Sequence, residues 1–236
     1  MIEVSVVVPT LNEERFLPRL LASLEAQSFG DYEVIVADAG SSDSTKNVAQ
    51  AHHTLIVDGG SPAVGRNSGA RSASGRFIFF LDADVVLPSM FLQNAVNEIH
   101  RRDISLCTCR VIPISNSCVD RIIHILMNYF VRLLAPIWPK APGYAIFVAR
   151  WLFEETGGFD ESLTLCEDVN FVERAAHHRA LRYLTSVRLW VDTRRYRYEG
   201  RLRYVLRSVA MNTYRMFIGE IRDMRFRYDF GVFGRG

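Results

Sequence analysis

Lysine is nearly absent from this sequence: Lys46 and Lys140 are the only two, so all other basic side chains are arginine or histidine. A P-loop needs a lysine after a glycine-rich turn, and that nucleotide-binding class is excluded. Glycine is missing where a dinucleotide fold requires G-x-G-x-x-G, because the first apolar run passes directly into PTLNEE. Four cysteines (Cys107, Cys109, Cys118, Cys166) contain no C-x-x-C pair and match no zinc spacing. A chain of 236 residues can bury a core large enough to need no disulfide framework. No apolar run reaches the length of a membrane span. The start, MIEVSVVVPT, lacks the basic region and cleavage site of a signal peptide, so a cytoplasmic protein is expected. Repeats and low-complexity linkers are lacking too, and no histidine follows His178.

What is present is an ordinary globular composition, 49% apolar and 23% charged. The net charge of +2 conceals an asymmetry, since residues 194–236 carry eleven arginines against four acids. An acidic body with a basic tail fits a tail that meets phosphates, lipid headgroups or an acidic partner, or one that is simply a solvated helix surface.

Val4–Val8 is a continuous β-branched run, the pattern of a strand buried on both faces. Helical spacing of Phe16, Leu20, Leu21 and Leu24 predicts a helix opening at Asn12-Glu13-Glu14. Strands follow at Tyr32–Ala37, Leu55–Val57 and Phe77–Leu81, with helices to about His52, over 63–74 and over Met90–Arg101. Such alternation implies right-handed crossovers and a mostly parallel, doubly wound α/β sheet. Beyond residue 103 the pattern reads as a strand at Ser105–Ile114, an apolar helix at Val119–Ile137 and a short strand at Ala145–Val148. Helices near Trp151–Thr156 and at Glu167–His178 come next, then a strand at Arg182–Leu189 and a long basic helix at Arg201–Arg222.

Ligands bind such sheets at the carboxyl ends of the strands. Three polar clusters fall there: Pro9–Glu13, Asp38–Asp43 and Asp82–Asp84. In FIFFLDADVVLP, five apolar residues run into two carboxylates, which are costly at a strand end unless something binds them. Strand alternation would put Asp82 and Asp84 on one side, with the small Ala83 between them. Hard divalent cations such as magnesium take one or two carboxylates together with phosphate oxygens and water. The pair Glu167-Asp168 follows the glycine turn Gly157-Gly158 and opens a helix, where two acids also stabilise a helix N-terminus.

In order and spacing, VVVPTLNEERFLPRLLASLEAQ, YEVIVADAGSSDST, AVGRNSGARSASGRFIFFLDAD and GGFDESLTLCEDVNFVERA resemble the inverting family-2 glycosyltransferases of the GT-A fold, over roughly residues 3–195. The resemblance implies a donor site in which Pro9, Thr10 and Glu13 line the base and ribose pocket. Asp38 would accept the N3–H of a uracil-type base, with Ala39 where the family often has a second acid. Arg66 would lie near the diphosphate, with Asn67, Gly69 and Ala70 packing its helix beneath the nucleotide. Asp82 and Ala83 would border the ribose and sugar, and Asp84 would be the direct ligand of Mg²⁺ or Mn²⁺, with Asp82 in its water shell. Asp168 would be the general base and Glu167 its support, and Arg194-Arg195 stand as a diphosphate clamp in place of a late histidine.

The implied reaction moves a sugar from a nucleoside-diphosphate sugar, UDP-linked by preference, to a hydroxyl on a glycan or lipid-linked acceptor, with inversion. Transfer to a polyprenyl phosphate, or a non-catalytic nucleotide-sugar-binding subunit, are the alternatives. The expected organisation is a catalytic domain over 1–193 (donor half to about 103, acceptor half 104–193) and a basic helical extension over 194–236. In VDRIIHILMNYFVRLLAPI, residues 119–137, Asp120, His124, Asn128 and Arg132 form a thin polar stripe on an apolar helix. Such a helix covers its own sheet, packs a partner, or lies in a bilayer interface. With the basic tail, peripheral attachment to an anionic membrane at its inner face becomes a further expectation. No nucleic-acid partner is expected, since no binding module accompanies the tail.

Overall fold

The computed structural model describes residues 2–223 and 226. Arg225, Arg227, Arg235 and Asp229 of the basic tail lie outside the described residues, as does the end of the 194–236 extension. The elements run β1 (Val4–Thr10), α1 (Leu17–Glu25), β2 (Tyr32–Asp38), α2 (Thr45–Ala51), β3 (Leu55–Asp58), α3 (Pro62–Ser72), β4 (Phe77–Phe80), β5 (Val85–Val86) and α4 (Phe91–Arg102). The second half adds β6 (Leu106–Ile114), α5 (Cys118–Leu134), a 3₁₀ turn (Gly143–Ala145), β7 (Ile146–Ala149), α6 (Arg150–Thr156), α7 (Glu167–His178), β8 (Arg182–Asp192), α8 (Arg194–Glu199) and α9 (Arg201–Phe217).

One eight-stranded sheet has the order β3-β2-β1-β4-β7-β6-β8-β5. The first four strands are parallel, as the alternation of strand and helix requires. In the second half the sheet is mixed: β7 runs antiparallel to β4 and β6, β8 runs parallel to β6, and β5 runs antiparallel to β8. β1 lies between β2 and β4, and its Val4, Val6, Val7 and Val8 are wholly buried, which is why its sequence does not alternate.

The first helix begins at Leu17 and not at Asn12. Pro18 explains the shift: it is tolerated in the first turn, but in the interior of a longer helix it would remove a hydrogen bond and clash. Glu13 and Glu14 therefore sit in a loop, where Asn12 takes a left-handed φ of 56°. Asp82 and Asp84 likewise lie in the turn between β4 and β5, so strand alternation is not what brings them together. The helix expected to run to Arg222 stops at Phe217; Gly219 turns the chain at φ 124°, and Ile221 folds back into the core.

Helix α5 is oriented against the usual rule. Its polar seam points inward: Asp120 and His124 are buried, and Asn128 both donates to and accepts from the backbone of Val111 on β6, at 2.7 and 2.9 Å. Asp120 accepts from Arg201 at 2.5 Å, and the His124 Nδ1 lies 2.9 Å from the Asp120 carbonyl. Its apolar residues face out, with Leu126 64%, Leu133 71% and Ile137, just past its end, 80% exposed. Core packing, one of the three expectations for this helix, does not account for that outer face.

Helix α3 lies directly on β1. A Cβ added at Gly69 would stand 2.3 Å from Val7 Cγ1, closer than real atoms approach. Gly69→Ala should overpack this contact by about 1–3 kcal/mol and lower the melting temperature by several degrees, which calorimetry will read.

Candidate active site

The carboxyl ends of β1, β2 and β4 converge, and loops from the second half close over them. Arg66, on α3 and almost wholly buried, donates through Nη1 to Glu167 Oε1 at 2.7 Å and through Nη2 to Asp82 Oδ1 at 3.2 Å. Burial alone would lower its pKa, but the charges of Asp82, Glu167 and Asp168 outweigh burial and raise it. The guanidinium lies 5.5 Å over the ring of Phe159, which belongs to an aromatic cluster with Phe80, Phe153 and Phe171. Its Nε is buried with no acceptor among the described residues.

Asn67 is the clamp that closes the second half onto the first. It donates to the Phe159 carbonyl and accepts the Phe159 N–H, both at 2.8 Å. Gly157 and Gly158 take positive φ to allow this, and a Cβ at Gly158 would meet Asn67 Oδ1 at 2.7 Å. Asn67 thus binds the GGF loop as well as packing α3.

At the start of α7, burial raises the pKa of Glu167, the charge of Asp168 adds to this, and Arg66 works against it. Asp168 is held by two backbone amides: Gly143 donates to Oδ2 and Val169 to Oδ1, each at 2.8 Å. A Cβ at Gly143 would lie 2.6 Å from Arg66 Nη2 and 3.1 Å from Asp168 Oδ2, so the Pro142-Gly143 turn is packed against both groups.

On the other flank, Arg194 at the first position of α8 donates through Nη1 and Nη2 to both Glu13 oxygens, at 2.7 and 2.6 Å, and through Nε to Asp84 Oδ2 at 3.0 Å. Its guanidinium stacks 4.2 Å over Phe16. Burial raises the Asp84 pKa against the pull of Arg194 and Arg195, and the charge of Asp82 adds to the rise. Burial also lifts Glu13 to about 7 despite its bidentate arginine. Ala83, between the two aspartates, is buried in the core.

Asp38 stands at the end of β2 with its oxygens already occupied. Oδ2 accepts from the amides of Gly40 and Ser41 at 3.0 and 2.9 Å; Oδ1 accepts from the hydroxyls of Ser41 at 2.5 Å and Thr10 at 3.3 Å. The Lys46 ammonium is 3.4 Å away. Four donors match the lone-pair sites of a carboxylate, so a further donor would displace one of them. Pro9 packs on the α3 side, where a Cβ at Gly65 would be 3.3 Å from it.

The structure therefore gathers Glu13, Asp82, Asp84, Glu167, Asp168, Arg66 and Arg194 at one sheet edge, and sets Asp38 and Thr10 beside them at the paired ends of β2 and β1. Gly143, Phe16, Lys46 and Phe159 also touch these groups, in roles not expected from the sequence. Of these only Gly143 carried a local signal, its Pro-Gly dipeptide.

Among the described residues, no three acidic, histidine or cysteine side chains form a ready metal cage. Asp82 and Asp84 each give one oxygen to an arginine and retain another. That donor set fits a hard divalent cation in the shared mode, in which two carboxylates are completed by diphosphate oxygens and water.

A glycosyl transferase family 2 model matches residues 5–154. Staphylococcus aureus TarS, a poly(ribitol-phosphate) beta-N-acetylglucosaminyltransferase, is 32% identical over 118 residues, 45% of this chain and 21% of TarS. The crystal structure of TarS 1–349 in complex with UDP-GlcNAc is similar with a TM-score of 0.66 at 21% identity, covering 81% of this chain and 58% of that one. The Campylobacter jejuni GalNAc(5)-diNAcBac-PP-undecaprenol beta-1,3-glucosyltransferase is 38% identical over 110 residues, 42% of this chain and 35% of the relative. Mannosyltransferase PcManGT from Pyrobaculum calidifontis, in complex with GDP-Man and Mn²⁺, is similar with a TM-score of 0.66 at 21% identity, covering 88% and 64%. The chain spans less than two thirds of the length of each of these proteins. The structural likenesses establish the fold, which is of the GT-A type.

The Glu13 pKa gives a prediction with a definite sign. A carboxyl raised from 4.5 to about 7 on folding holds its proton in the native state while the unfolded chain has lost it. The contribution of Glu13 to stability then falls as pH rises from about 4.5 to 7, by up to about 3 kcal/mol, and levels off above. Urea melts across that range in EDTA should show this contribution as the difference between wild type and Glu13→Gln, the wild type losing more stability as pH rises.

Proposed function

The chain belongs to glycosyl transferase family 2, whose model matches more than half of it, and from that footing we propose that it transfers a sugar from a nucleoside-diphosphate sugar to an acceptor hydroxyl with inversion. The observation that carries the reading is the Arg66 bridge. One buried guanidinium ties the DAD turn, where a donor diphosphate would lie, to the Glu167-Asp168 helix start, where an acceptor would be deprotonated.

In this reading Asp168 is the general base. Its two amide partners fix the carboxylate and leave a lone pair on each oxygen for the acceptor O–H. As that proton moves to Asp168, the acceptor oxygen attacks the anomeric carbon on the face opposite the diphosphate. The bond to the diphosphate oxygen breaks, and the configuration inverts. Glu167 and Arg66 position this end, Arg194 and Arg195 face the leaving diphosphate, and Pro9, Thr10 and Glu13 border the nucleoside. Asp38 would read a uracil N3–H only if the Thr10 or Ser41 hydroxyl turned away.

Five carboxylates meet two buried guanidiniums here, so an anionic donor would enter a site that is already negative. Bound Mg²⁺ or Mn²⁺ would supply the charge neutralisation that a departing diphosphate needs. Asp84 and Asp82 are the residues that would hold it. The TarS complex with UDP-GlcNAc and the PcManGT complex with GDP-Man and Mn²⁺ are consistent with this, and the Campylobacter relative acts on an undecaprenol-linked acceptor by name. Residues 1–193 would form the catalytic unit and 194–236 an extension that lends it Arg194. No helix among the described residues is long and apolar enough to cross a membrane. The outward apolar faces of α5 and α9 support a peripheral position at the inner membrane face, beside a lipid-linked acceptor.

Asp168→Asn should keep donor binding and lose transfer by about 10²–10⁴-fold, read by thermal shift with nucleotide and by turnover. Unchanged turnover would transfer the reaction to a phosphate acceptor, which needs no base. In the same thermal-shift format, UDP should stabilise the wild-type protein more than GDP, and only with Mn²⁺ present. Stabilisation indifferent to metal would remove the role given to Asp84, and failure to hydrolyse any donor slowly would favour a binding subunit.

A further inference from the structure

Away from the site just described, a cleft of about 430 Å³ opens between α4, the β6–β8 pair and α5. Its three arginines have no carboxylate to answer them among the described residues, and only Arg188 has an aromatic neighbour, the Trp190 ring at 5.9 Å. The β6–β8 register places Arg110 directly opposite Arg188, at the point where the ladder shifts after Cys109. Like charges facing each other across a sheet destabilise it. Arg132 of α5 adds a third guanidinium to the same cleft. None of the three has a carboxylate partner among the described residues. Behind the cleft wall, Glu98 does not serve as their partner. It accepts from the Thr185 and Ser186 amides, from the Ser186 hydroxyl at 2.5 Å and from Arg102. Burial works to raise its pKa, but these bonds overcome it and hold Glu98 at about 2.

The cleft is continuous with the outward face of α5. Ile125, Asn128, Tyr129 and Arg132 form its α5 wall, and Leu126 and Leu133 lie one step around the same helix, exposed. Asn128, bonded to the Val111 backbone and accepting from the Tyr183 hydroxyl at 3.2 Å, holds the wall in place. Helix α9 presents a second exposed stripe, Leu202, Leu206, Val209, Met216 and Phe217. It is tied to the α5 region at its start by Arg201, which donates to Asp120, and farther along by Asn212, which accepts from Lys140. Exposed apolar surface on this scale marks an interaction site. Flanking it with unpaired arginines is the pattern of a helix that lies in the interface of an anionic bilayer.

We propose that the Arg110–Arg132–Arg188 cleft is a headgroup site for an anionic phospholipid, and that it seats the apolar faces of α5 and α9 on the membrane. The site accounts for both anomalies at once. A lipid phosphate relieves the Arg110–Arg188 opposition, and the acyl region covers Leu126 and Leu133. It rests on the peripheral attachment read above and adds to it the lipid class and the residues that select it.

The test is co-sedimentation of the full chain with phosphatidylcholine vesicles, with and without phosphatidylglycerol. Wild-type protein should bind the anionic vesicles more tightly by about 100-fold, near 1 kcal/mol for each of three arginines. The triple variant R110A/R132A/R188A should retain only the weak binding seen on neutral vesicles. It should melt no lower than wild type, because the like-charge pair is gone. A control triple of arginines that do not line the cleft, R71A/R76A/R179A, should keep the anionic preference. Equal binding by wild type and the cleft triple, or equal loss in the control, overturns the headgroup site. Binding to neither vesicle overturns peripheral attachment itself, as does a concentration-dependent dimer that buries this face. Stabilisation by millimolar inorganic phosphate without any vesicle preference assigns the cleft to free phosphate and overturns the lipid reading. In Leu126→Glu/Leu133→Glu, binding to both vesicle types should fall together.

Discussion

Negative charge is what this fold has to hold together. Glu13, Asp82, Asp84, Glu167 and Asp168 come to one sheet edge, three of them with carboxyl pKa values raised by burial. Left unpaired, each would cost several kcal/mol, and removing one partner from a buried ion pair typically costs about 3–5 kcal/mol. Two guanidiniums answer them from opposite flanks, and each has an aromatic ring beneath it: Phe159 under Arg66 and Phe16 under Arg194. Much of the remaining architecture serves these two residues. Gly69 lets α3 sit close enough to β1 to place Arg66, Asn67 draws the GGF loop down so that Phe159 reaches it, and Pro18 delays α1 so that Glu13 is free to meet Arg194.

The two arginines differ in how they are anchored. Arg66 is inside the donor half, on a helix packed against the central strand. Arg194 opens α8, the short link to the outward-facing α9, and an ion pair between Glu199 and Arg207 at 2.6 Å joins the two helices. Half of the charge compensation at the site thus comes from a segment that leads directly to the exposed apolar surface.

How much of this was legible in the sequence depended on the range of the interaction. The first half was read almost element by element, because Val4–Val8 and Phe77–Phe80 are buried on both faces and their runs are unambiguous. The helix at Glu167–His178 was read to the residue, its acids and preceding glycines being local signals. Arg66, Arg194 and the carboxylates could be named, but not that each aspartate of the DAD turn takes a different arginine, since those contacts join residues 16 to 110 positions apart. Asp38 was legible as a strand-end acid, whereas its four donors, three from Gly40 and Ser41 in the following loop and one from Thr10 at the end of β1, were not. The orientation of α5 was the hardest feature. Its periodicity is that of any amphipathic helix, and the pattern alone does not say which face the core takes. Here Asp120, His124 and Asn128 face inward because Arg201 and the Val111 backbone satisfy them.

One strand connects the candidate active site to the basic cleft. β8 carries Arg188 into the basic cleft and, four residues on, ends at Asp192, whose amide donates to the Asp84 carbonyl at 3.0 Å. At about 3.3 Å per residue the separation along the strand is roughly 13 Å. β5, which leaves the DAD turn, pairs with this same stretch through Val85–Val191 and Val86–Trp190. A headgroup in the cleft and a diphosphate at Asp84 would therefore lie on one rigid ladder, with no hinge between them. A rigid ladder fixes the height of the site above whatever surface the cleft rests on. With the cleft seated on a bilayer as proposed, that geometry would suit an acceptor held at a constant distance from the surface, as a lipid-linked sugar would be.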